Sequence, residues 1–129
     1  MESDVLVVDD SAAIRKILTR VLRQTGMAIQ TIHEAGDGQE ALVLMAEHKI
    51  ALVLSDINMP KMDGLQLLAS LKASPQWRTI PVVMITTEGG ETKVAEAVRL
   101  GAAGYVRKPF TADQIKEKLV GILEPAPTL

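Results

Sequence analysis

"VLVVDDS", Val5 to Ser11, sets four consecutive apolar residues against two adjacent aspartates, Asp9 and Asp10. An unbroken apolar run of this length suits a strand buried on both faces, as parallel sheets require. The arrangement returns twice. Ala51–Ser55 runs into Asp56, and Val82–Ile85 runs into Thr86 and Thr87.

The stretches between these runs read as helices and minor strands. Ile14, Ile17, Leu18, Val21 and Leu22 share one helical face, with Ser11 placed to cap its start and Gly26 its end. Gln30–Glu34 reads as a weak strand, and Gly38–Glu47 as a short helix carrying Ala41, Leu42 and Met45. Asn58, Pro60 and Gly64 mark a loop before the helix of Leu65, Leu68 and Leu71. Val94, Ala97 and Val98 predict a helix ended by Gly101, and Gly104–Arg107 a short strand. Ile115, Leu119 and Ile122 predict the last helix. Strand and helix thus alternate five times. That is an α/β class, (βα)5, a doubly wound parallel five-stranded sheet with helices on both faces. Residues 1–123 are expected to form one domain, and 124–129, EPAPTL, a tail that cannot continue a helix.

Bulk properties exclude several functions. A net charge of −2 argues against a general nucleic-acid or anionic-membrane binder. Without cysteine there is no disulfide, thiolate catalyst or cysteine-held zinc, which fits a reducing compartment. No apolar run approaches the roughly 20 residues of a membrane span, and MESDV lacks the features of a signal peptide. A cytoplasmic location is expected. Trp77, Tyr105 and Phe110 are the whole aromatic set. Trp77 is read as cover for a loop, His33 and His48 as isolated surface residues, and Gly89–Gly90 as a flexible lead into the fourth helix.

The strand ends carry the chemistry. Open parallel sheets bind ligands beyond their carboxyl ends. There the chain places Asp9, Asp10, Asp56, Thr86, Thr87 and Lys108. Neighbouring strands lie about 4.8 Å apart, so adjacency of the first and third would bring three carboxylates together. Such charges repel and need a cation. Carboxylate and carbonyl oxygens suit Mg²⁺, and Lys108 adds a second positive group. Taken singly, Asp9 or Asp56 reads as a solvated helix cap. Taken as a set, the residues read as a site.

In chain order, "VVDDS", "SDINMPKMDG", "MITTE" and "VRKPF" resemble the receiver domain of two-component response regulators, and within it the single-domain chemotaxis members. The resemblance runs from Val5 to Leu123. It implies a flavodoxin-like strand order 2-1-3-4-5 and a phosphorylation-controlled module, not a turnover enzyme. It further implies Asp56 as phosphoacceptor, with Asp10 as direct Mg²⁺ ligand, Asp9 as ligand through water, and Asn58 giving its backbone carbonyl. Thr86 and Lys108 would contact the phosphoryl group, with Thr87 at the pocket rim and Tyr105 as the rotating aromatic of a switch. The bond before Pro109 is cis in the family. Implied partners are a sensor histidine kinase or phosphotransfer protein, and a target on the face of the fourth helix, fifth strand and fifth helix. Lys93, Arg99, Arg107, Lys116 and Lys118 lie on those elements, so an acidic or amphipathic target segment is expected of a monomer. Ile57 stands where chemotaxis members carry an aromatic, Thr87 where they carry alanine, and Gly90–Glu91 where they carry lysines.

Two alternatives stand beside this reading. A phosphatase of the haloacid dehalogenase type also uses Asp, Mg²⁺, Thr and Lys, but places its nucleophile after the first strand in a DxD motif. The chain could also be a receiver fragment of a larger regulator.

Overall fold

The computed structural model describes residues 3–87 and 91–123, with only the backbone of Glu91. The expected tail 124–129 and the Gly89–Gly90 pair lie outside the described residues. The strands are β1 (Ser3–Val8), β2 (Ile29–Ala35), β3 (Ile50–Asp56), β4 (Val82–Thr86) and β5 (Gly104–Arg107). The helices are α1 (Ala12–Gln24), α2 (Gly38–Glu47), α3 (Gly64–Ala73), α4 (Glu91–Arg99) and α5 (Ala112–Leu119). All pairings are parallel, in the order β2-β1-β3-β4-β5, as the resemblance implied.

The unbroken apolar runs are explained by two cores, one on each face of the sheet. Val5, Val7, Leu52, Leu54, Val83 and Ile85 face Leu18 and Leu22 of α1 and Ile115 and Leu119 of α5. Their neighbours Leu6, Val8, Val53, Val82 and Met84 face Ala41 and Met45 of α2, Leu67, Leu68 and Leu71 of α3, and Ala97 of α4. Successive strand residues point to opposite faces, so a strand covered on both sides has no polar position to spare. Each large aliphatic buried this way contributes roughly 1.5–3 kcal/mol. β2, at the sheet edge, keeps four partly or fully exposed central positions plus Glu34, which explains its weak signal in the sequence.

Helix starts follow the expected chemistry. Ser11 caps α1 by accepting from the Ile14 N–H, and Asp63 and Thr111 form capping boxes with Gln66 and Gln114. One boundary differs. Ile122 was expected on α5, but the helix stops at Leu119, and Gly121 takes φ +89°. That left-handed turn returns the chain, so Ile122 packs on the α1/α5 core from outside the helix.

Candidate phosphoryl and metal site

β1 and β3 are adjacent, with Val8 in register with Ser55. Their carboxyl ends therefore deliver Asp9, Asp10 and Asp56 to one place. One oxygen of each carboxylate lies within 4.8 Å of the others. Asp9 and Asp56 are buried and Asp10 is exposed. Lys108 arrives from the end of β5, 99 residues along the chain from Asp9, and its Nζ donates to Asp9 Oδ2 at 2.7 Å. The same ammonium lies 3.6 Å from Asp56 Oδ2.

The charge balance is uneven. Three carboxylates face one close ammonium, and burial pushes the Asp56 carboxyl above its ordinary value. Lys108 opposes that shift, Asp9 adds to it, the Ile57 N–H opposes it, and Asp10 adds again. The Ile57 N–H donates to Asp56 Oδ1 at 2.8 Å and aims the carboxylate. Asp9 is held on both oxygens, by Lys108 and by the Ser11 N–H at 2.9 Å. Among the described residues no hydrogen bond holds the Asp10 side chain, so its oxygens are open to a cation. A hard, oxygen-only donor set with excess negative charge fits Mg²⁺.

Backbone packing sets this geometry. Gly64 N–H donates to Ile57 O at 2.7 Å, and a Cβ on Gly64 would stand 2.0 Å from the Asp56 carbonyl oxygen. Only glycine lets α3 begin so close behind β3.

The other expected residues fall as follows. Thr86 is buried at the end of β4, and its carbonyl accepts from the Lys108 N–H at 2.8 Å. Thr87 lies just past that strand and is exposed. With Ile14, Ile17, Lys108, Pro109 and Phe110 it lines an apolar groove of about 300 Å³ beside the acidic cluster. The Lys108–Pro109 bond is cis. Tyr105 is 45% exposed on β5, with the Lys118 ammonium 5.8 Å over its ring. Asn58 is exposed, two residues past Asp56.

Three features were not read from the sequence. Arg15 of α1 donates from Nη1 to the Asp9 carbonyl and from Nε to Glu34 at 3.1 Å, bracing the turn that carries the acids. Lys93 was assigned to the basic outer face, yet its Nζ donates to Asn58 Oδ1 at 2.7 Å. His33 and His48 are not isolated. Their rings stack at 4.1 Å, and His33 Nε2 lies 3.0 Å from Asp4 Oδ2. Each residue looked like a surface charge because its partner is remote in sequence. Arg15, five residues after Asp10 on the capped helix, offered the only local hint.

Comparison with known families decides the matter. The response regulator receiver domain model matches residues 5–120. The chain belongs to the response regulator receiver family. This is a family of two-component signalling domains, not of enzymes that turn over an external substrate. Chemotaxis protein CheY-3 of Vibrio cholerae is 39% identical over 93% of this chain and 91% of its own length. A CheY homolog of Campylobacter jejuni is 38% identical over 92% and 90%. Among solved structures, Vibrio cholerae CheY4 superposes with a TM-score of 0.85 at 32% identity, covering 95% of this chain and all (100%) of the other. Borrelia burgdorferi CheY, solved as a complex with CheX, BeF3 and Mg²⁺, gives 0.84 at 30% identity over 93% and 88%. No helix among the described residues is long and apolar enough to cross a membrane.

Proposed function

We propose that this receiver domain accepts a phosphoryl group on Asp56 from a histidine kinase or phosphotransfer protein, in chemotaxis or a related phosphorelay of the cytoplasm. The observation that carries the reading is the convergence of Asp9, Asp10 and Asp56 with the Lys108 ammonium beside two of them. An Asp56 oxygen attacks phosphorus, the bond from phosphorus to the donor nitrogen breaks, and the histidine leaves with that electron pair. Phosphoryl transfer asks mainly for positioning and charge neutralisation. The Ile57 N–H aims the nucleophile, and Lys108 lies where negative charge gathers. Asp10 would hold Mg²⁺ directly, with Asp9 through water and the Asn58 carbonyl beside Asp56. When bound, that ion offsets charge on the phosphoryl oxygens.

The output would be a shape change. Phosphoryl oxygens would draw the Thr86 hydroxyl inward, and Tyr105 would rotate from its exposed position into the space released. The α4–β5–α5 face, with Arg99, Arg107, Lys116 and Lys118, would then bind an acidic or amphipathic target segment. The CheX complex of the Borrelia relative supports protein partnership for such a domain.

The test is intact mass after incubation with acetyl phosphate, with and without Mg²⁺. The wild type should gain one phosphoryl group only with Mg²⁺ and lose it over time. Full labelling of Asp56→Asn would contradict the assignment.

A further inference from the structure

Lys93 sits in the first turn of α4, and the bond from its Nζ to Asn58 Oδ1 joins that helix to the β3–α3 loop. A lysine ammonium only donates, so Asn58 must present its carbonyl oxygen. The partners are 35 residues apart in sequence. Lys108 serves Asp9 and faces Asp56 from the β5 side. Lys93 is thus a second ammonium at this end of the sheet, spent on a neutral amide two residues from the acceptor.

We infer that Lys93 is a positioning residue that lengthens the life of the phosphoryl group on Asp56 by holding the Asn58 amide. The inference rests on the acceptor reading of Asp56. Loss of the group is a hydrolysis. A water oxygen bonds to phosphorus, and the bond from phosphorus to the Asp56 oxygen breaks with its electron pair going to the carboxylate. The water hydrogens leave with inorganic phosphate as H₂PO₄⁻. Attack in line requires the water to approach opposite the Asp56 oxygen, from the solvent side of the pocket. Asn58 is exposed two residues past Asp56, and its carbonyl oxygen is an acceptor that would orient such a water. The charge-assisted bond from Lys93 takes one of that oxygen's two lone pairs and fixes the amide against turning toward the water. The same bond ties α4 across the loop, so the water loses both an orienting group and room.

The experiment follows loss of radiolabelled phosphate from the full chain, after labelling with acetyl phosphate and Mg²⁺ and removal of donor. Lys93→Ala should shorten the lifetime by about three- to tenfold, the scale of one lost hydrogen bond, with an unchanged melting temperature. Lys93→Arg should restore most of it. In an Asn58→Ala background, Lys93→Ala should change nothing further. An unchanged lifetime in Lys93→Ala, or the same shortening in the Asn58→Ala background, would overturn the inference. Absence of label on the wild type would instead overturn the acceptor reading, and the inference with it.

Discussion

The two ends of the sheet make opposite use of charge. At the amino end, Asp4 of β1 meets His33 of β2 at 3.0 Å, and His48 stacks on the imidazole. One acid there has one basic partner. Nearby, Met45, Ile50, Trp77 and Ile80 line a cleft of about 580 Å³, so Trp77 covers the loops before β3 and β4. At the carboxyl end, three acids share one close ammonium, and two of those acids are buried. The contrast teaches that an acid beside one basic partner says little about function. Unbalanced like charge, held in place by backbone N–H groups, is what a fold keeps only when something else completes it.

The contrast can be broken most severely at Asp56. Asp56→Asn should abolish labelling by acetyl phosphate, read by intact mass. It should also raise the melting temperature of metal-free protein at neutral pH. Burial raises the folded carboxyl above its unfolded value, so the folded state holds this proton more tightly than the unfolded chain. That contribution is full at acid pH and is lost as pH rises through the folded value. The gain from Asn should therefore shrink as pH falls through the raised folded value and be gone once pH is below the ordinary carboxylate range, which melting curves across pH would check.

The next largest effect is at Lys108. Lys108→Ala leaves the three acids without their close ammonium and should cost about 3–5 kcal/mol, as lost partners of buried charges do. Urea unfolding at neutral pH measures it, and added Mg²⁺ should recover part of the loss. Asp10→Ala acts in the other direction. It should raise metal-free thermal stability modestly by relieving repulsion, while weakening Mg²⁺ binding more than Asp9→Ala does. A calorimetric Mg²⁺ titration of both variants checks the order. The smallest effect belongs to the amino end. Asp4→Ala should cost no more than about 1 kcal/mol, since partly exposed pairs contribute little, and should leave labelling by acetyl phosphate unchanged.

Much of this was legible in the chain because buried parallel strands leave a plain signature. Val5–Val8, Ala51–Ser55 and Val82–Ile85 marked the central strands, and the residues directly after them marked the site. Strand adjacency then did the rest, since β1 beside β3 makes Asp9, Asp10 and Asp56 neighbours without any further information. What stayed hidden was pairing between side chains far apart in sequence. Lys93 and Asn58, Arg15 and Glu34, and His33 and Asp4 are each ordinary surface types, and nothing local selects their partners. The end of α5 was misplaced for a local reason: Ile122 keeps helical spacing, but Gly121 turns the backbone before it.

The central claim is that the carboxyl end of the sheet is the responsive end. The direct measurement is an amide NMR comparison of the protein before and after addition of Mg²⁺ and beryllofluoride. The account predicts large shifts at Asp9, Asp10, Asp56, Thr86 and Lys108, extending to Tyr105 on the outer face, with His33, His48 and Trp77 unmoved. Shifts concentrated at the amino end, or a pocket that responds while Tyr105 does not, would contradict it.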